Sequence, residues 1–207
     1  MSKYTDFFAA ASTGLYPHTG SAAITGSHHV TGSVDFAYAS AGGGTVGGAW
    51  SAAPSNMIIP RHSLGGAGTQ TSALAFGGYS ATTATEEYNS GTWSAAPANM
   101  ITARFTLAGA GTQTSALAFG GRNPVTNATE EYNGAAWGVG GNLAIARYSL
   151  AGAGTQTAGL AFGGQNPVAL NATEEYNGTA QTWSPGGNLA TPRYNLAGAG
   201  TQTSALA

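Results

Sequence analysis

Short apolar stretches alternate with glycine, asparagine and proline along most of this chain. In the stretch 71–76 successive side chains would point to opposite faces, as in a β-strand, and paired glycines end it. Two further strands are predicted at 84–88 and 93–95, each stopped by turn-forming residues. A small apolar strand is predicted at 63–67. The pattern predicts a unit of four short strands, because glycine and threonine recur where a helix would need leucine, glutamate or lysine.

This four-strand unit repeats along the chain. The arginines that open the units are Arg61, Arg104, Arg147 and Arg193, at steps of 43, 43 and 46 residues. Gly-Thr-Gln-Thr begins at Gly68, Gly111, Gly154 and Gly200. A glutamate pair begins at Glu86, Glu130 and Glu174, and a tryptophan follows at Trp93, Trp137 and Trp183, with an earlier copy at Trp50. A repeat of about 40 to 50 residues with four strands is typical of a β-propeller blade.

The order of the repeated residues is more specific than their period. In the first unit an arginine, Arg61, precedes an apolar strand closed by Gly77 and Gly78, and Tyr88 and Trp93 follow. The second and third units have the same order. This order resembles the Kelch motif.

The resemblance covers residues 50–207 and implies an all-β, Kelch-like β-propeller. The Gly-Thr-Gln-Thr strand and the low charge also resemble Kelch-like proteins predicted in tailed phages, especially marine ones. This second resemblance implies a structural protein of the virion.

About four blades are predicted within 48–207, three continuous and one composite. The stretch Trp50-Ser-Ala-Ala-Pro matches the outer strand that begins at Trp93, so it would complete the strands of 193–207. This arrangement would remove open sheet edges. Two alternatives stay open: a longer parent chain was cut at Ala207, or two chains pair into a ring of about seven or eight blades.

Residues 1–47 do not repeat, and they include His18, His28 and His29. We expect an arm that anchors the protein to other virion proteins; plain disorder is the alternative. Neighbouring histidines on a strand point to opposite faces, and no carboxylate cluster accompanies them, so no metal site or cofactor is predicted. The first eight residues lack the apolar core of a secretory signal.

Composition excludes several function classes. Only 7% of the residues are charged, with six lysines and arginines against eight aspartates and glutamates. Because there is no basic surplus, nucleic acid is not the expected partner. No apolar run has the roughly 20 residues of a membrane-spanning helix, so membrane insertion is not expected either. Without cysteine there is no disulfide framework.

The repeated charged residues are predicted to have a structural role and not a catalytic one. The glutamate pairs recur in every unit, whereas catalysis needs one site, and adjacent strand residues do not converge. We expect one glutamate of each pair to meet a repeat arginine. Outside these pairs the only carboxylates are Asp6 and Asp35, so an enzyme is not predicted.

Recognition is predicted in the turns that follow the paired glycines, because they differ between units. The candidate residues are Tyr79, Ser80, Arg122, Asn123, Gln165 and Asn166. Loops on a rigid scaffold commonly carry binding, although neutral drift in exposed turns explains the same variation. His62 occupies the position of Phe105, Tyr148 and Tyr194 and is predicted to be a strand or packing residue.

Three functions are compatible with these features. The first is a non-enzymatic virion protein, assembled in the host cytoplasm, that contacts other virion proteins and cell-surface glycans. The second is an intracellular Kelch-type protein-interaction module. The third, a glycan-active propeller enzyme, is least favoured.

Overall fold

The computed structural model describes residues 54–207, which contain antiparallel β-sheets and no helix. The first sheet contains β1 (Gly65–Gly68), β2 (Ser72–Phe76), β3 (Thr85–Asn89) and β4 (Thr92–Ala95). The second contains β5 (Ala108–Thr112), β6 (Ser115–Phe119), β7 (Thr129–Tyr132) and β8 (Trp137–Val139). The third contains β9 (Ala151–Gly154), β10 (Gly159–Phe162), β11 (Thr173–Asn177) and β12 (Thr182–Pro185). The fourth has two strands, β13 (Ala199–Gly200) and β14 (Ala205–Leu206).

Strands within each sheet are neighbours in the order of the chain, so the three four-stranded sheets are meanders and the fourth is a hairpin. The all-β class and the four-stranded unit predicted from sequence are therefore confirmed, in an arrangement consistent with a propeller. The described residues lie within one compact unit, Ser51–Ala207.

The first strand begins two residues later than predicted, the largest shift among the strands of the first unit. The first strand was expected from residue 63, but β1 begins at Gly65. Ser63 has a φ of 56°, a left-handed backbone conformation that interrupts an extended strand. The equivalent Thr106 has a φ of 52°, and its N–H donates to the Ser63 carbonyl at 2.7 Å. This segment therefore links neighbouring sheets instead of extending the strand.

The paired glycines make a second backbone link between sheets. Gly120 has a φ of 63°, and a Cβ there would lie 2.7 Å from the Arg147 carbonyl oxygen. The N–H of Gly121 donates to that same carbonyl at 2.9 Å. Only glycine combines this φ with this approach, so the pair both ends β6 and joins it to the next sheet.

The first strands of successive sheets approach each other very closely. A Cβ on Gly109 of β5 would lie 2.5 Å from the Gly66 carbonyl oxygen of β1. A Cβ on Gly152 of β9 would lie equally close to the Gly109 carbonyl oxygen. The repeated Gly-Ala-Gly sequence therefore allows backbone to pack on backbone from one sheet to the next.

Apolar side chains fill the space between successive sheets. The first cluster contains Leu74, Phe76, Met100, Leu107, Ala116, Ala118, Tyr132 and Trp137. The second contains Ala108, Ala110, Leu117, Phe119, Leu143, Leu150, Ala161 and Tyr176. The third contains Ala151, Ala153, Leu160 and Phe162. The core is thus divided into layers, one for each sheet-to-sheet contact.

The first sheet has no neighbour on its other face among residues 54–207. There a Cβ on Gly66 would meet only the Leu74 carbonyl oxygen, at 3.5 Å. Gly66 is exposed, as are both residues of β13. The predicted composite blade depends on Trp50, which lies outside the described residues, as does the predicted arm 1–47.

We predict that Gly109→Ala lowers the free energy of unfolding by about 1–3 kcal/mol, because the added methyl group would overlap the Gly66 carbonyl. The matched control is Gly138→Ala in the edge strand β8, where a Cβ would lie 3.9 Å from the nearest atom. Urea denaturation measures both. Equal stability of the two variants would contradict the close backbone packing.

Candidate binding site at one end of the sheets

Each repeat arginine of the three large sheets forms a buried ion pair within its own sheet. Arg104 is fully buried, and its Nη2 donates to Glu130 Oε1 at 3.1 Å while its Nη1 donates to the Ala128 carbonyl at 2.8 Å. Burial lowers the pKa of Arg104, and the charge of Glu130 opposes that shift. The equivalent pairs are Arg61–Glu86 and Arg147–Glu174. Arg193, by contrast, is exposed and has no equivalent glutamate within the 207 residues.

The second glutamate of the first and second pairs contacts the following sheet. Tyr132 Oη donates to Glu87 at 3.0 Å, and Tyr176 Oη donates to Glu131 at 2.5 Å. Burial raises the pKa of Tyr132 to about 12, helped by the hydrogen bond and negative charge of Glu87. Both glutamates of the first two pairs are therefore engaged, one within its sheet and one between sheets.

The repeat tryptophans also lie between sheets. Trp137 Nε1 donates to Thr85 Oγ1 of the preceding sheet at 3.1 Å, and its ring contacts Phe76 edge-on at 5.1 Å. Trp183 makes the equivalent contacts with the second sheet. Trp93 packs on Tyr88 of its own sheet, with ring centroids 5.2 Å apart.

The glutamine of Gly-Thr-Gln-Thr is a structural residue that the sequence analysis missed. Gln113 Nε2 donates to the Ala73 and Tyr88 carbonyls of the preceding sheet at 3.2 and 2.8 Å. Its Oε1 accepts from the Ser72 hydroxyl at 2.8 Å, and Gln156 repeats this arrangement. The unchanged Gly-Thr-Gln-Thr in four copies was the signal that could have indicated it.

The three variable turns lie at the same end of their sheets. Each turn's first residue pairs through its backbone with the residue that follows a repeat arginine. Thus Tyr79 N–H donates to the His62 carbonyl at 2.9 Å, and Arg122 N–H donates to the Phe105 carbonyl at 3.0 Å. Gln165 pairs in the same way with Tyr148. Of their neighbours, Ser80 and Asn123 are exposed, and the Asn166 amide donates to the Ala146 carbonyl at 2.7 Å.

This pairing produces a row of stacked side chains from three sheets, here called the aromatic row. It consists of His62, Tyr79, Phe105, Arg122 and Tyr148. His62 and Tyr79 are stacked with ring centroids 4.8 Å apart, and Tyr79 meets Phe105 edge-on at 5.4 Å. Arg122 follows, with Cζ 5.8 Å from the Phe105 centroid and 4.7 Å from that of Tyr148.

Two of these five residues, Tyr79 and Arg122, are predicted from sequence as candidate binding residues. His62 is predicted to be a strand or packing residue, and no role is predicted for Phe105 or Tyr148. The available signal was an aromatic or imidazole side chain after every repeat arginine. The sequence does not show that the side chains of the row interleave, because this depends on backbone pairing between distant segments of the chain.

The aromatic row carries an available positive charge. Arg122 is exposed and forms no ion pair or side-chain hydrogen bond with any residue of 54–207. Tyr79, which contacts the same Phe105 ring as Arg122, is 54% exposed. The row therefore presents aromatic surface and one planar cation to solvent.

No protein-family model matches this chain, and no curated protein matches it either. Within the described part, no cluster of three or more histidines, aspartates and glutamates could hold a metal ion. No helix that is long and apolar enough to cross a membrane was found there. The function of the aromatic row is therefore inferred from its geometry.

We predict that Arg104→Met lowers the free energy of unfolding by about 3–5 kcal/mol, because Glu130 would remain buried without its partner. The melting temperature should fall by about 10 °C. Arg193→Met is the matched control: it removes an exposed arginine at the same repeat position, so its effect should stay within about 0.5 kcal/mol. Similar losses in both variants would contradict a special role of the buried pair.

We predict a pH-dependent contribution from Tyr132. Its pKa rises from 10.0 in the unfolded chain to about 12 in the folded protein, so the folded state holds the proton more tightly. The stabilisation should be complete below about pH 10 and be lost as pH rises through about 12.

Urea denaturation between about pH 8 and pH 12 should therefore show Tyr132→Phe and the unchanged protein converging at the alkaline end. A difference that is independent of pH would contradict the assigned hydrogen bond.

Proposed function

We propose that this protein is a non-enzymatic structural component of a tailed-phage virion: a tail fibre, tail-associated or capsid-surface protein. It presents a Kelch-like β-propeller for virion assembly and for attachment to host-surface glycans. The observation that carries the proposal is the division between recurring and varying side chains. The recurring ones bond within and between sheets, whereas the varying ones, such as Tyr79 and Arg122, are exposed at one end.

The contacts of the carboxylates support a non-enzymatic role. An acid–base pair needs two carboxyl groups that converge on a substrate. Here Glu130 is buried against Arg104, while the adjacent Glu131 accepts a hydrogen bond from Tyr176 of the next sheet. The two side chains of the pair thus have different, fixed partners, and the same division recurs with Glu86 and Glu87.

The arm 1–47 would hold the propeller on the particle by binding other virion proteins. A virion component assembles in the host cytoplasm and leaves by lysis, so it needs no secretory signal of its own. Multiple copies on one particle would let weak individual binding add up to firm attachment.

Each chain would contribute about four blades, three continuous and one composite. On the third sheet, Phe162, Thr173 and Glu175 line a cavity of about 210 Å³, and Thr173 Oγ1 is buried without a hydrogen-bond partner among residues 54–207. The equivalent positions on the first and second sheets receive Trp137 and Trp183. The cavity therefore fits a tryptophan, and Trp50 begins the stretch of sequence that matches an outer strand.

A second copy of the chain would supply that strand and complete the ring. The first sheet exposes Gln70 and Gly66, whose equivalents in the second sheet are covered by contact with a neighbouring sheet. Because neither residue contacts the fourth sheet within 54–207, closure between two chains fits better than closure within one. Each copy's first sheet would then pack on the other copy's last.

The virion role is tested by mass spectrometry of gradient-purified particles from a phage that encodes this chain. We predict peptides of this protein in the particles, retained after a salt wash and in fixed proportion to the other structural proteins. The unassembled protein fraction of the same lysate is the control. Detection only in that fraction would contradict the proposal.

A further inference from the structure

We infer that the aromatic row binds an acidic sugar, with the sugar carboxylate on Arg122 and an apolar face of the sugar ring on Tyr79. This inference rests on the proposed function for the location of the ligand on a host surface. The site itself rests on the geometry of the row.

Arg122 is positioned to bind a carboxylate. Its guanidinium lies between the rings of Phe105 and Tyr148, at 5.8 and 4.7 Å, so cation–π contacts hold it in place. Since no residue of 54–207 accepts a hydrogen bond from it, its N–H groups remain available. The planar fork of donors matches the two oxygens of a carboxylate.

Tyr79, which contacts the same Phe105 ring as Arg122, provides the aromatic surface. Its ring is stacked on His62 with an angle of 18° between the planes, and its edge relation to Phe105 is nearly perpendicular at 89°. Its backbone N–H is bonded to the His62 carbonyl. The ring is therefore fixed on two sides while 54% of the residue stays exposed, which suits packing against the C–H face of a sugar.

Polar groups beside the row suit the sugar hydroxyls. Ser80 and Asn123 directly follow Tyr79 and Arg122, and both are exposed with side chains that bond to no residue of 54–207. Asn166, the equivalent of Asn123 in the third turn, is instead held by the Ala146 carbonyl. This difference locates the site at the first and second turns.

The test is isothermal titration calorimetry of the full chain with oligosaccharides of uronic acid at low salt. Neutral gluco-oligosaccharides of the same length and single-stranded DNA are the comparison ligands.

Arg122→Gln should weaken uronate binding about tenfold, because a charged hydrogen-bond pair is lost. Tyr79→Ala should also weaken it, and Arg193→Gln, which removes an exposed arginine outside the row, should leave it unchanged. The melting temperature of each variant shows whether it is folded.

Each outcome bears on the inference. Uronate binding that depends on Arg122 and Tyr79 and weakens with salt supports it. The inference would be overturned by equal binding of neutral sugars, by a preference for DNA or by the absence of binding. An equal loss of uronate binding in Arg193→Gln would also overturn it. Release of reducing ends during the titration would instead contradict the non-enzymatic role. A protein present in particles that binds no uronate would overturn this inference and leave the virion role intact.

Discussion

The close approach of backbone to backbone between successive sheets is the constraint on which the rest of this structure depends. The first strand of one sheet lies so near that of the next that a single methyl group on Gly109 would overlap the Gly66 carbonyl. Residues without large side chains must therefore recur at this position in every unit. The apolar layers farther out, such as Phe76 against Trp137, then follow the spacing that the glycines set.

Polar contacts between sheets determine which faces fit together. Gln113, Tyr132 and Trp137 each bond to the preceding sheet, and their acceptors are carbonyls, a carboxylate and a threonine hydroxyl. A sheet of this kind is therefore complementary to another copy of itself. In the proposed closure, the exposed face of the first sheet and the cavity beside Thr173 would be the two halves of one such contact.

The strands and their repetition could be predicted from the sequence, because they depend on local pattern and on the repeat period. The strands ended by paired glycines were predictable because alternation and turn chemistry act over a few residues. The late start of β1 was not predictable. The left-handed conformation of Ser63 depends on a hydrogen bond that its carbonyl accepts from the Thr106 N–H, which precedes the next sheet. The aromatic row was missed for the same reason. Tyr79 and Phe105 are far apart in the chain, and only the stacking of sheets brings them together.

We propose that the contact between one sheet and the next continues until no complementary face is left open. Native mass spectrometry of the purified chain at micromolar concentration tests this closure. We expect a closed dimer of twice the 20.5 kDa chain mass, with no larger species as concentration rises. A monomer that persists at every concentration, or a ladder of growing oligomers, would contradict it.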